Sequence, residues 1–209
     1  MISFKSMFIL ALLCPFMHFA QVEVKWNTEV PTDILWQEVT ALGNLIVSSR
    51  EGLIGLNAET GKIVWSKRAH GNLDRAAFEE LPNSPFIAVT GENTLHLIDQ
   101  FSGQEVFNSA KAGLKEISSY FLLYNSNTIL VAGTGWSEEP LLVSANMSDG
   151  SLSWSLEEKF GSIINVNELD NQELLIVTLF NNYKLNNDTG AIIWKNMNSK
   201  ENAQLDNLT

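Results

Sequence analysis

A ten-residue unit returns four times along the chain, and a repeat at such intervals restricts the fold more than any other feature. Its first copy is Leu56-Asn57-Ala58-Glu59-Thr60-Gly61-Lys62-Ile63-Val64-Trp65, and residues 98–107, 145–154 and 185–194 keep its offsets. The glycines stand at positions 61, 103, 150 and 190, spacings of 42, 47 and 40 residues. Four residues before each comes Asn57, Asp99, Asn146 or Asn186, a side chain able to bond its own backbone where a strand ends. Gly61, Gly103, Gly150 and Gly190 can take the positive φ that a tight antiparallel connection demands. The aromatic four residues later, Trp65, Phe107, Trp154 or Trp194, comes out on the next strand as a large core or inter-unit packing group.

Between these turns lie short runs rich in Ile, Val, Leu and aromatics, bounded by Gly, Asn, Pro and Ser, which are strand signals. Four fall in each unit: 34–39, 45–49, 53–56 and 62–67; 75–80, 86–90, 94–99 and 105–108; 116–124, 129–132, 141–145 and 151–156; 162–169, 173–178, 182–185 and 191–195. Gly133-Thr134-Gly135 reads as a turn, and no stretch holds a helical period. Four strands per 40 to 47 residues is the blade of a β-propeller. The expected fold is therefore all-β, with four-stranded antiparallel blades at about 27–68, 69–110, 111–157 and 158–197 and a polar tail at 198–209.

The Asn/Asp-x-x-Thr-Gly-x-x-x-Trp unit resembles the repeat of pyrroloquinoline-quinone-type, or quinoprotein-like, β-propellers, which include the BamB-type outer-membrane assembly factors. The resemblance covers about residues 22–197. It departs from the pattern at Phe107, which replaces Trp, and at Asp149-Gly150, which replaces Thr-Gly. The resemblance implies seven or eight blades, so the four visible ones read as the N-terminal part of a larger ring. Val22-Glu23-Val24-Lys25-Trp26 looks like a further outer strand, ending in Trp as Ile63-Val64-Trp65 does. The fourth unit already owns such a strand, which leaves 22–26 to complete a later blade. The alternative is a closed four-bladed ring. An unfinished ring would expose sheet faces on its first and fourth blades, and such faces invite association.

The first twenty residues differ from the rest. Lys5 is their only charge, and 7–19 is an apolar run too short to span a bilayer comfortably but suited to a signal peptide. Cleavage after Ala20 would make Gln21 the mature N-terminus; the alternative is an uncleaved anchor. The same cut removes Cys14, the single cysteine, and with it any disulfide, thiol nucleophile or cysteine metal site. The expected location is a periplasm or cell surface, with no transmembrane segment after processing. A formal net charge of -11 argues against nucleic-acid or anionic-membrane partners.

Candidate chemistry is sparse. The mature chain holds two histidines, His70 and His96, and neither has another histidine or a cysteine at metal-ligand spacing. His96 reads as a strand residue and His70 as a surface residue of a connecting loop. The pairs Glu79-Glu80, Glu138-Glu139 and Glu157-Glu158 are adjacent, so on a strand they point to opposite faces. There is no Gly-x-Ser-x-Gly elbow, phosphate-cradling loop or calcium-binding oxygen set. No catalytic, cofactor-binding or metal residue is expected, and no cofactor. Quinone-dependent dehydrogenases, as the resemblance implies, hold a calcium-bound quinone in an eight-bladed funnel with a catalytic Asp and commonly a vicinal cysteine pair. This chain has too few blades and no cysteine after processing. Trp136, in loop 133–140, either anchors a partner or folds back onto its own blade.

These readings lead to an exported, non-enzymatic β-propeller that binds a protein partner as a scaffold, with envelope assembly as its setting. The alternative is part of a quinoprotein-type oxidoreductase whose site lies in further blades. A third reading is a luminal propeller domain of a larger eukaryotic membrane complex, in which Asn146-Met147-Ser148 and Asn187-Asp188-Thr189 would accept glycans.

Overall fold

A computed structural model describes residues 24–197, which fold into sixteen strands and two 3-10 turns. The signal-peptide reading of 1–20 and the tail at 198–209 lie outside the described residues. Four sheets follow one another along the chain, each a four-stranded antiparallel meander. The first holds β1 (Ile34–Val39), β2 (Asn44–Ser49), β3 (Gly52–Asn57) and β4 (Ile63–Lys67). The second holds β5 (Phe78–Glu80), β6 (Phe86–Gly91), β7 (Thr94–Asp99) and β8 (Glu105–Asn108). The third holds β9 (Leu114–Leu123), β10 (Thr128–Gly135), β11 (Pro140–Asn146) and β12 (Leu152–Glu157), and the fourth β13 (Ile163–Leu169), β14 (Glu173–Thr178), β15 (Asn181–Asn186) and β16 (Ile192–Met197).

The repeated decapeptide is the hairpin between the third and fourth strands of every sheet. Asn57 Oδ1 accepts from the amides of Glu59 and Thr60 and from the Thr60 hydroxyl. Asp99 does the same for Phe101 and Ser102, and Asn186 for Asp188 and Thr189. In the third sheet Asn146 accepts from one turn amide, that of Ser148, and from the Asn127 side chain, while Asp149 accepts from Ser151. All four glycines donate their N–H to the carbonyl four residues back at 2.8–2.9 Å, with φ near +70°. The register slips once beside each turn, at Gly55/Leu56, Leu97/Ile98, Ser144/Ala145 and Lys184/Leu185. Such a bulge adds local twist and re-aims the outer strand.

Strand alternation gives the inner sheets two apolar faces, and these faces pack sheet against sheet. Ile87, Val89 and Ile98 of the second sheet join Ile46, Leu53 and Trp65 of the first. Leu95 and Leu97, one residue out of phase, join Ile129, Val131, Val143 and Ala145 of the third. Leu130 and Leu142 then meet Leu174, Ile176, Tyr183 and Leu185 of the fourth. The remaining cluster, Val47, Ile54 and Leu56, belongs to the first sheet, and among the described residues no cluster joins the fourth sheet to the first.

Two local expectations are corrected. Residues 75–77 do not begin a strand; Arg75–Ala77 is a 3-10 turn because Asp74 caps it, accepting from the Ala76 amide at 2.9 Å. Gly133-Thr134-Gly135 is not a turn but the end of β10. Gly133 lies beside a register slip where the Glu116 carbonyl crowds it, a close backbone approach that a side chain would block.

Candidate functional site

Three side chains that are distant in sequence meet between the first and second sheets. His70 ends the 3-10 turn Arg68–His70, which leaves β4 and begins the connection to the second sheet. His96 lies on β7, in phase with Ile98 and so facing the first sheet, and Glu105 opens β8. The two imidazole rings lie 4.8 Å apart, edge to face. One ligand atom from each of His70, His96 and Glu105 falls within 4.8 Å of the other two. His96 Nδ1 is 2.8 Å from Glu105 Oε2, while Lys111 Nζ holds Oε1 at 2.7 Å. Thr94 Oγ1 donates to the Gly91 carbonyl at 2.6 Å and lies 3.0 Å from His96 Nε2. His70 is only 9% exposed, and among the described residues neither of its ring nitrogens has a hydrogen-bond partner. The surface position expected for His70 is thus corrected: the turn after β4 folds it against the second sheet.

A second arrangement recurs at successive seams. Trp65 Nε1 donates to the Gln100 carbonyl of the next sheet's hairpin at 2.8 Å, and Trp154 Nε1 donates to the Asn187 carbonyl at 2.6 Å. Trp26, ahead of the first sheet, donates to the Ala58 carbonyl at 2.9 Å. Each acceptor lies three residues before the repeat glycine. The same rings cover Gly61, Gly103 and Gly190, where a Cβ would lie 2.5–2.6 Å from Trp26, Trp65 and Trp154. Each of these three tryptophans therefore latches onto the turn of the sheet that follows it, and sheets joined in this way stack in series. These are β-propeller blades.

No protein-family model and no curated protein matches the sequence. Among solved structures, the blades are similar to BamB from Moraxella catarrhalis, with 15% identity, TM-score 0.41, and coverage of 82% of this chain and 51% of that one. They are similar to a quinohemoprotein alcohol dehydrogenase from Pseudomonas putida HK5, at 14% identity and TM-score 0.41, with coverage of 74% and 33%. The WD40 domain of Toxoplasma gondii coronin also matches at 14% identity and TM-score 0.41, with coverage of 79% and 45%. The chain spans about half or less of the length of these structures.

Within the propeller blades, the aromatic repeat positions divide. Trp65, Phe107 and Trp154 are buried at seams. Phe107 has no N–H to donate, and the Val106 backbone, not an aromatic ring, crowds Gly150. Trp194 lies on the face of blade 4 that points away from blade 3, paired in register with Lys184. It is 42% exposed, and its indole nitrogen has no partner among the described residues. Trp136 stands 65% exposed at the hairpin between β10 and β11, clear of its own blade. The paired glutamates split as alternation requires: Glu80 accepts from the Ala41 amide on blade 1 and Glu79 from the Tyr120 hydroxyl on blade 3.

The electrostatics of the His-His-Glu cluster follow from its position. Burial lowers the His70 pKa, and the neighbouring His96 and Lys67 lower it further, which keeps the imidazole neutral with a free lone pair. Burial would raise Glu105, but hydrogen bonds from Lys111 and His96 outweigh it and draw its pKa down to about 2. A neutral imidazole, a second imidazole and a carboxylate form a nitrogen-oxygen donor set of the kind that holds a transition metal. No spacing in the sequence announces it, because the blade seam brings the three together.

Proposed function

We propose that the chain is a non-enzymatic scaffold of an exported compartment that binds a protein partner through the free face of blade 4. The observation that carries this reading is Trp194. Three other tryptophans give their N–H to a turn in the following blade, whereas Trp194 occupies the same repeat position with its ring half in solvent. Around it on that face lie Leu175 and Val177, with the Lys184–Glu173 ion pair beside them. The Gly61 turn of blade 1 cannot receive Trp194, since Trp26 already fills it. The partner that fits is therefore another β-sheet blade that presents an Asx-to-glycine turn with a free carbonyl. Trp136 offers a second anchor on the hairpin tip of blade 3.

A photo-crosslinking residue at position 194 of the full chain, expressed in its native cells, tests the reading. The expected adduct maps to a peptide with an Asn/Asp turn leading into glycine, and the same probe at exposed Glu59 gives none. Adducts that scatter over unrelated peptides, or match those at Glu59, would reject it. The apolar run at 7–19 supports export, and N-terminal sequencing of the secreted protein should begin at Gln21.

A further inference from the structure

We propose that His70, His96 and Glu105 form a binding site for a divalent transition metal of the zinc class, placed so that the ion pins the blade 1–2 connection to blade 2. The inference is independent of the scaffold reading and rests on geometry, since one ligand atom from each of the three side chains lies within 4.8 Å of the other two. The single hydroxyl proton of Thr94 is spent on the Gly91 carbonyl at 2.6 Å. Thr94 Oγ1 can therefore only accept from His96, which places a proton on Nε2. In the neutral ring Nδ1 then carries a lone pair; the Asn108 amide nitrogen lies 3.3 Å from it, but the Glu105 carboxylate faces it more closely, at 2.8 Å. Two acceptors at that distance repel unless a positive charge sits between them. A second proton on His96 supplies such a charge, and so does a metal ion.

His70 separates the two cases. A proton on His96 leaves both His70 ring nitrogens without a hydrogen-bond partner among the described residues, with water as their only partner. A metal uses the His70 lone pair as well. Zinc–ligand bonds of about 2.0–2.1 Å place neighbouring donor atoms roughly 3.3 Å apart in a tetrahedron. The His96–Glu105 contact opens by roughly 0.5 Å to admit the ion, and closing the 4.8 Å cluster needs an inward turn of His70 by roughly 1.5 Å. Thr94 is then the outer partner that fixes the tautomer and orientation of His96. Lys111 engages the other carboxylate oxygen, and its side chain is 77% exposed, free to swing into water. His96 and Glu105 are 17% and 23% exposed, which leaves the fourth coordination position open to a water molecule.

Zinc titration of the metal-free full chain, followed by competition with a chromophoric chelator and by imidazole nitrogen NMR, tests the site. The expected result is one Zn2+ per chain, with the ring-nitrogen resonances of both His70 and His96 shifted, and a melting temperature that rises with zinc. His70→Ala and His96→Ala should each weaken binding roughly 100-fold or more, and Glu105→Gln, close in shape to the native residue, at least about tenfold. Glu105→Gln also serves as the folding control, because its melt without zinc should remain cooperative. The proposal is overturned if zinc leaves both ring resonances unmoved while His96 carries protons on both nitrogens. It is equally overturned if binding survives unchanged in Glu105→Gln and His70→Ala, which would place the ion elsewhere.

Discussion

At the scale of single residues, the repeat glycine serves two purposes. Its φ near +70° disfavours any side chain, and at Gly61, Gly103 and Gly190 the space of a Cβ belongs to the preceding blade's tryptophan. Gly43 separates the two effects, because it has φ +82° with nothing within 4 Å of a Cβ. Gly43→Ala should therefore cost only the backbone term, about 1–2 kcal/mol. Gly103→Ala should cost about 2–5 kcal/mol, since overpacking against Trp65 adds roughly 1–3 kcal/mol. Urea unfolding with unchanged slope would show the difference, and equal losses would mean that the latch tolerates the extra methyl. Phe107 shows the limit of the pattern: it still fills the seam but leaves the following turn without an indole hydrogen bond.

At the scale of elements, the third-to-fourth hairpin holds its shape through one side-chain oxygen. Asp99 Oδ1 accepts from two amides and a hydroxyl, all within 3.0 Å, in a turn whose Gln100 carbonyl also accepts from Trp65 of blade 1. Asp99→Asn retains that oxygen and should stay close to wild type. Asp99→Ala releases all three donors and should cost about 1–2 kcal/mol by thermal or chemical denaturation. Blade 3 already contains a partial rearrangement of this kind, where Asp149 bonds Ser151 and relieves Asn146 of part of the work. The turn thus has more than one polar solution, which is why the sequence around the glycine varies while the glycine itself stays.

At the scale of the whole molecule, blades stack in series, so each seam stabilises its two neighbours. Trp154 closes the seam between blades 3 and 4, at 8% exposure and with its N–H bonded. Trp154→Ala should cost about 3–5 kcal/mol as a large buried aromatic is lost. Trp194→Ala, at the same repeat position on the free face, should change the stability of the isolated chain by less than about 1 kcal/mol. Calorimetry on the two variants measures this asymmetry, and equal losses would show that Trp194 is already latched. The expected asymmetry would mark this face as a surface available to a partner rather than a support of the chain's own stability.

The blade count, the strand order and the hairpin chemistry were all legible in the residues, because each depends on contacts within a few positions along the chain. Asn57 reaches Thr60, Asp99 reaches Ser102, and a glycine adopts its φ without any distant neighbour. Local signals also misled, at Arg75 and at Gly133, where a capping aspartate and a crowding carbonyl overrode the apparent run. Tertiary structure alone decided which tryptophan covers which turn, why Trp194 stays half exposed and Trp136 stands clear, and how His70 meets His96 from 26 residues away. The physical reason is that these contacts exist only across seams. A seam forms when faces of opposite phase on two blades bury each other, and no spacing within either blade encodes what the other brings to it.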